Sequence, residues 1–184
     1  MRLFNETKEA LEQQTATAEV LQVISSSVAD TQPVFEKILL SCKKLFESTE
    51  QGITLISEGG QVRMGAHHGK ARDKLEAIFA TPRSFGGVDQ AVRQRLAMHY
   101  VDVLNDADVP EGVRAIAQQL GIGTYSQAFA PMAWEGRAVG VLYVIRQPAT
   151  GFTDKEIGLL KTFADQAVIA IQNARLFREI EDKS

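Results

Sequence analysis

The chain has 184 residues, 45% of them hydrophobic, a size and composition that can bury one ordinary core, with helical extensions, without disulfide or metal staples. Its 20 basic and 23 acidic residues give a formal net charge of -3 with no long block of either sign, which argues against nucleic acid as a partner. The longest apolar run, Ala138 to Ile145, is far shorter than the roughly 20 residues that cross a bilayer, the first residues are unlike a secretory signal, and a single cysteine, Cys42, forms neither an internal disulfide nor a cysteine metal site, so the cytoplasm is the expected compartment.

From Leu3 to Val28 there is neither Gly nor Pro, and Leu3, Thr7, Ala10, Gln14, Thr17, Leu21, Ile24 and Val28 alternate steps of four and three. That spacing predicts a helix with a heptad seam, polar in its first half and apolar at Leu21, Ile24 and Val28, suited to a coiled coil. After a polar break, Pro33 opens an amphipathic helix with Val34, Ile38, Leu39, Cys42, Leu45 and Phe46 on one face. Gly52–Ile56 and Gln61–Ala66 read as strands joined by the turn Glu58-Gly59-Gly60. The stretch from His67 to Met98 is less regular: a helix around Asp73 to Phe79, a loop from Pro82 to Gly87, and a helix carrying Val88, Ala91, Val92 and Leu96.

His99–Val103 reads as a short strand, and Val113, Ile116, Ala117 and Leu120 line a helix that Gly121 ends. Ser126–Trp134 and Arg137–Arg146 form a second hairpin about Glu135-Gly136. Thr153 and Glu156 are spaced as a capping box, with Phe152 and Ile157 as its staple, so a helix starts there. It runs on to Lys183 with an apolar face of Leu160, Phe163, Ala164, Ala167, Ile171, Ala174 and Phe177. Five strands with interspersed helices predict an antiparallel sheet in an α+β fold.

Ala130-Pro131-Met132, Glu135 to Leu142, Phe152 to Ile157, Phe163 to Ala167 and Ala170 to Phe177 resemble the second half of the GAF domains of bacterial sensor histidine kinases, and Met98 to Asp106 resembles their central strand and turn. The resemblance covers roughly residues 31 to 177. It implies a central sheet of five or six strands, with the terminal helices on one face and a pocket under short helices on the other. The expected domain layout is a signalling or linker helix over residues 1–30 and the GAF domain with its C-terminal helix over 31–184. Arg2-Leu3-Phe4-Asn5-Glu6 nearly repeats Arg175-Leu176-Phe177-Arg178-Glu179, as expected if the chain begins in the last helix of a preceding GAF domain.

By the same resemblance, a small ligand would meet Phe79, Phe85, Val88, Tyr100, Val113, Ile116, Tyr125, Gln127 and Phe129. Core packing is the ordinary alternative for each, and the polar groups of Tyr100, Tyr125 and Gln127 are the informative ones. A homodimer is expected through Leu21, Ile24, Val28, Phe163, Ala167, Ile171, Ala174 and Phe177, coupling the module to adjacent signalling domains of a two-component system. A dimerisation module without a ligand and a small pocket enzyme are the rival functions.

Catalytic and metal-binding residues are not expected. Cys42 reads as a buried structural thiol, not a bilin attachment site or a reductase nucleophile. His67 and His68 read as a solvated pair pointing to opposite faces. His99, as a lone histidine, is a weak haem ligand candidate, and Asp102, Asp106 and Asp108 read as caps of the helix after Pro110. The cofactor, if any, stays open.

Overall fold

The computed structural model describes residues 2–80 and 96–183. Its elements are α1 (Arg2–Ser26), α2 (Gln32–Phe46), β1 (Glu50–Ile56), β2 (Val62–His68), α3 (Arg72–Phe79), β3 (Met98–Tyr100), α4 (Glu111–Leu120), β4 (Ser126–Trp134), β5 (Arg137–Arg146) and α5 (Asp154–Lys183). The expected helix around Val88, Ala91 and Val92 lies outside the described residues, and Leu96 is exposed.

Turn chemistry sets the two hairpins. Glu135 and Gly136 both have positive φ, 48° and 78°, the pairing of a tight two-residue turn whose twist matches the strands it joins. Between β1 and β2, Gly60 takes φ 80° while its N–H donates to the Ser57 carbonyl. The strands then form one sheet in the order β2-β1-β5-β4-β3, every neighbouring pair antiparallel. β5 is central and buried on both faces, which is why its sequence reads as a continuous apolar run and does not alternate.

One face of the sheet, with Ile53, Ala128, Ala130, Met132, Leu142 and Val144, packs on α2 and α5. Phe35, Ile38, Leu39 and Phe46 of α2 and Leu160 and Phe163 of α5 fill that layer, each fully buried and contributing about 1.5–3 kcal/mol. Ala128 and Ala130 opposite Ala164 and Ala167 keep the layer thin. The other face, with Phe129, Val141, Tyr143 and Ile145, is covered by Leu75, Ile78 and Phe79 of α3 and Val113, Ala117 and Leu120 of α4.

The start of α5 is held as its sequence implies. The Thr153 hydroxyl accepts the Glu156 N–H at 3.2 Å, the Glu156 carboxylate accepts the Thr153 N–H at 2.9 Å, and Phe152 and Ile157 both pack against the helix-side core. Arg146, at the end of β5, donates to the carbonyls of Phe46 (2.9 Å) and Gly151 (2.7 Å), pairs with the Glu156 carboxylate, and lies 4.4 Å above the Phe152 ring. One guanidinium thus joins the C-terminus of α2 to the N-terminus of α5, where a cation and an anion respectively suit the helix dipoles.

α1 differs from the predicted seam. Ala16, Val20 and Ile24, at steps of four, face the protomer's own core, whereas Leu21 is exposed and Val28 lies beyond the helix in the following turn. The reason is α5: it runs parallel to α1, with Gln166 donating to the Thr17 carbonyl at 3.0 Å and a cleft between Ala10, Gln13 and Gly158, Thr162 further down. α2 packs on α1 as well, with Lys37 paired to Glu19 at 2.9 Å, and a helix laid on two neighbouring helices follows a stripe at near four-residue steps, not the 3.5-residue coiled-coil average.

Candidate functional site

Between the sheet and its α3–α4 cover lies a cavity with about 30 Å³ of free space, enough for a water or two. The sheet supplies Thr54, Gln127, Phe129, Val141, Tyr143 and Ile145; the cover supplies Leu75 and Phe79 of α3 and Val113, Ile116 and Leu120 of α4; Tyr125 enters just before β4. α4 can be positioned so closely because Gly121, at φ 64°, ends it in a left-handed turn whose N–H returns to the Ala117 carbonyl.

Of the residues proposed from sequence, Phe79, Val113, Ile116, Tyr125, Gln127 and Phe129 meet at this cavity. Tyr100 stands beside it, paired in register with Gln127 and set edge-on to Phe129 with ring centroids 6.3 Å apart. Phe85 and Val88 lie outside the described residues. Thr54, Leu75, Leu120, Val141, Tyr143 and Ile145 join the lining without having been singled out from sequence. The β5 members had a signal, since every second residue of a strand buried on both faces must enter this layer.

The polar end of the cavity is a buried chain of side chains. The Tyr143 hydroxyl meets His67 Nδ1 at 2.7 Å, and His67 Nε2 meets Glu50 Oε2 at 2.7 Å. Glu50 Oε1 accepts the Ala71 N–H at 2.9 Å. His67 and Glu50 are 2% and 4% exposed, which corrects the expectation that His67 belongs to a solvated pair. His67 and His68 are the last residues of β2, and they do diverge: His68 is half-buried, and burial above all holds its imidazole below the usual histidine range.

Register explains the contact. His67 lies opposite Gly52 on one side, and Gly52 lies opposite Tyr143 on the other, so the three form one row across β2, β1 and β5. A Cβ at Gly52 would come within 2.1 Å of the Tyr143 hydroxyl; the glycine leaves the gap through which the outer two side chains touch. A bulge between Ile53 and Thr54 shifts the β1–β2 register just beyond this row. Gly69, at φ 137°, does the same for Glu50: a Cβ there would sit 1.5 Å from the carboxylate.

Tyr125 is fully buried, lines the cavity, and among the described residues its hydroxyl is without a hydrogen-bond partner. Burial, and then the Glu50 carboxylate, push the hydroxyls of Tyr125 and Tyr143 well above the ordinary tyrosine range, so both are neutral phenols. The arrangement offers hydrogen bonds inside an apolar space.

Elsewhere the chemistry is structural. Cys42 is buried in the layer beneath the opposite face of the sheet, and burial pushes its thiol up. Asp102 accepts hydrogen bonds from Asn105 and Thr124, and Asp106 accepts the Asp102 N–H, so these aspartates order a loop; Pro110 precedes α4 without a side-chain cap, contrary to the capping expectation. His99 is exposed on β3. Among the described residues no group of three or more His, Cys, Asp or Glu could hold a metal ion, and no helix is long and apolar enough to cross a membrane.

Of the residues expected at a dimer contact, Ile24, Phe163, Ala167 and Ala174 are buried within the protomer, and Ile171 and Phe177 are half-buried. Leu21 and Val28 are exposed, and further exposed apolar side chains on the terminal helices, among the described residues, are Leu11 on α1 and Ile169, Leu176 and Ile180 on α5.

One antiparallel sheet, terminal helices on one face and a covered cavity on the other make up an α+β domain. The chain belongs to the GAF domain family, whose pattern it matches over residues 28–172, and GAF domains are regulatory sensory domains of signalling proteins. Its fold is similar to the GAF domain of a Coxiella burnetii phosphoenolpyruvate-protein phosphotransferase (TM-score 0.73, 12% identity, 92% of this chain and 98% of that one). It is also similar to the free methionine-R-sulfoxide reductase of Neisseria meningitidis (0.71, 18%, 92% and 93%). A domain of a putative two-component sensor histidine kinase from Sinorhizobium meliloti 1021 aligns with TM-score 0.63 at 22% identity, over 80% of this chain and 94% of that one. No curated protein matches the sequence.

Proposed function

We propose that this chain is the ligand-binding input domain of a cytoplasmic signalling protein, a sensor histidine kinase being the favoured context, and that its own role is binding and not catalysis. The observation that carries the reading is the apolar cavity with a fully buried, unpartnered Tyr125 hydroxyl at its edge. A buried hydroxyl without a partner costs about 1–3 kcal/mol, a cost that a scaffold could shed by using Phe and that a binding site recovers when occupied. The kinase context is supported by the resemblance of the second half of the chain and by the similar fold of a domain from a putative two-component sensor histidine kinase protein; the compartment, by a free buried Cys42.

The terminal helices suit a parallel dimer. Leu11 and Leu21 on α1 and Ile169, Leu176 and Ile180 on α5 leave exposed apolar side chains on two helices that run side by side in the same direction. A second copy offers the same stripes by symmetry. Signal would pass along α5 as a continuous helix, so one residue inserted after Phe177 rotates the downstream segment by about 100° and should change basal output more than seven inserted residues do.

A metabolite screen by thermal shift tests the binding role. A ligand at a hundredfold excess over its Kd should stabilise the domain by about 2.7 kcal/mol, or about 5–10 °C. Ile116→Trp, which fills the cavity, should abolish that shift. A library without hits, together with an Ile116→Trp variant as stable as wild type, would leave the domain a structural module.

A further inference from the structure

We infer that Gln166 is a detent between the two terminal helices: it holds α1 on α5 at one of a set of turn-spaced seatings, and so makes any movement of one helix along the other stepwise. The contact lies on the opposite face of the sheet from the cavity and does not depend on what the cavity binds.

Gln166 is 6% exposed, and its Nε2 donates to the Thr17 carbonyl in the middle of α1 at 3.0 Å. Among the described residues its Oε1 is buried without a hydrogen-bond partner. The Thr17 hydroxyl does not serve it, since that group donates to the Gln14 carbonyl at 3.0 Å. An orphaned amide oxygen destabilises the fold, and a Met or Leu of similar volume in its place would remove it. The amide is therefore poor packing, and a single buried polar group between helices is the device that fixes register at the expense of stability.

Apolar packing does not fix the seating alone. Ala16, Val20 and Ile24 of α1 face the core at steps of four, and Val28 continues the series, so an advance of one turn would bring Val20, Ile24 and Val28 to the same three places. On α5, the neighbours one turn from Gln166 on its own side are Ala170, which is buried but small, and Thr162, which opens on the cleft beside α1. Neither is a knob that only one turn of α1 would fit. The carbonyls of α1 do set positions: they recur every turn, about 5.4 Å apart, and each keeps a second lone pair beyond its helical bond. The Gln166 amide meets one of them at each whole turn and none between, where both of its ends would be buried and unpaired.

Double electron–electron resonance on the whole chain tests this, with spin labels at Glu9→Cys on α1 and Arg178→Cys on α5. Both sites are exposed and lie about 30 Å apart along the helices at 1.5 Å per residue. Cys42 is buried and stays unlabelled, and an excess of unlabelled chain suppresses distances between copies. With Gln166 in place the distance should be single and narrow. Gln166→Met should broaden it or add a population about 5.4 Å away, while the melting temperature stays level or rises by about 2–4 °C; Gln166→Leu should do the same. Unchanged narrow distances in both variants would overturn the detent, and so would a broad distribution in the wild type. A melting temperature lowered by more than about 4 °C in both variants would show the amide to be an ordinary satisfied bond, and would overturn it as well.

Discussion

Removing one oxygen from Tyr125 and one from Tyr143 should have opposite effects on stability, although both are buried phenols on the same face of the sheet. Among the described residues Tyr125 has no partner for its hydroxyl, so Tyr125→Phe gives up no hydrogen bond and relieves the desolvation of a polar group. With about 1 kcal/mol recovered, the melting temperature should stay level or rise by about 2–4 °C. Tyr143→Phe breaks the 2.7 Å contact with His67 and leaves Nδ1, in a side chain without solvent access, unpaired. That should cost about 2 kcal/mol, or about 4–8 °C. Urea titrations of the two variants, with unchanged m-values, give the difference directly. If Tyr125→Phe loses more than about 1 kcal/mol, its hydroxyl is structurally satisfied and the reasoning about an open valence in the cavity fails.

Thr153→Ala removes a capping acceptor of α5 and should cost about 1 kcal/mol, read as a drop of about 2–4 °C in melting temperature. Glu156 is pulled upward by burial but more strongly downward by Arg146 and the Thr153 N–H, so its folded pKa is depressed. Its contribution is present above its unfolded pKa of about 4.3 and is lost as pH falls through the folded value. Stability measured from pH 6 down to pH 3 should therefore fall less steeply in Glu156→Gln. Gly69→Ala drives a Cβ into the Glu50 carboxylate and should destabilise by about 2 kcal/mol or more, with His67 becoming accessible to a histidine-modifying reagent. Leu21→Glu combined with Ile169→Glu should leave the fold intact and yield a monomer by sedimentation, whereas Ile24→Glu, which buries a charge, should unfold the domain; a folded Ile24→Glu variant would contradict the packing of α1.

What the sequence exposes most clearly is what local chemistry decides. The β4–β5 hairpin follows from Glu135-Gly136, the α5 start from Thr153 and Glu156, and the α4 end from Gly121; none of these needs knowledge of a distant residue. The polar chain was hidden because it depends on register. His67 is buried only because Gly52 stands between it and Tyr143, and those residues are far apart in the chain. The seam on α1 departs from the pattern for a related reason: Leu21 and Ile24 both fit an apolar pattern, and only the positions of α2 and α5 decide that Ile24 turns inward. For the aspartates after β3, helix capping and loop bonding draw on the same residue types, so composition could not separate them.

β5 carries Val141, Tyr143 and Ile145 on its cavity side, Leu142 and Val144 against α2 and α5, and Arg146 at its end clamped to the first turn of α5. Cavity floor, helix bed and helix anchor are therefore successive residues of one strand, with no loop between them to absorb movement. A push on Tyr143 of a few tenths of an ångström, which a packed layer transmits and does not cushion, reaches the base of α5 within three residues. The domain is built like a lever whose short arm lies under the cavity and whose long arm is a helix of 30 residues.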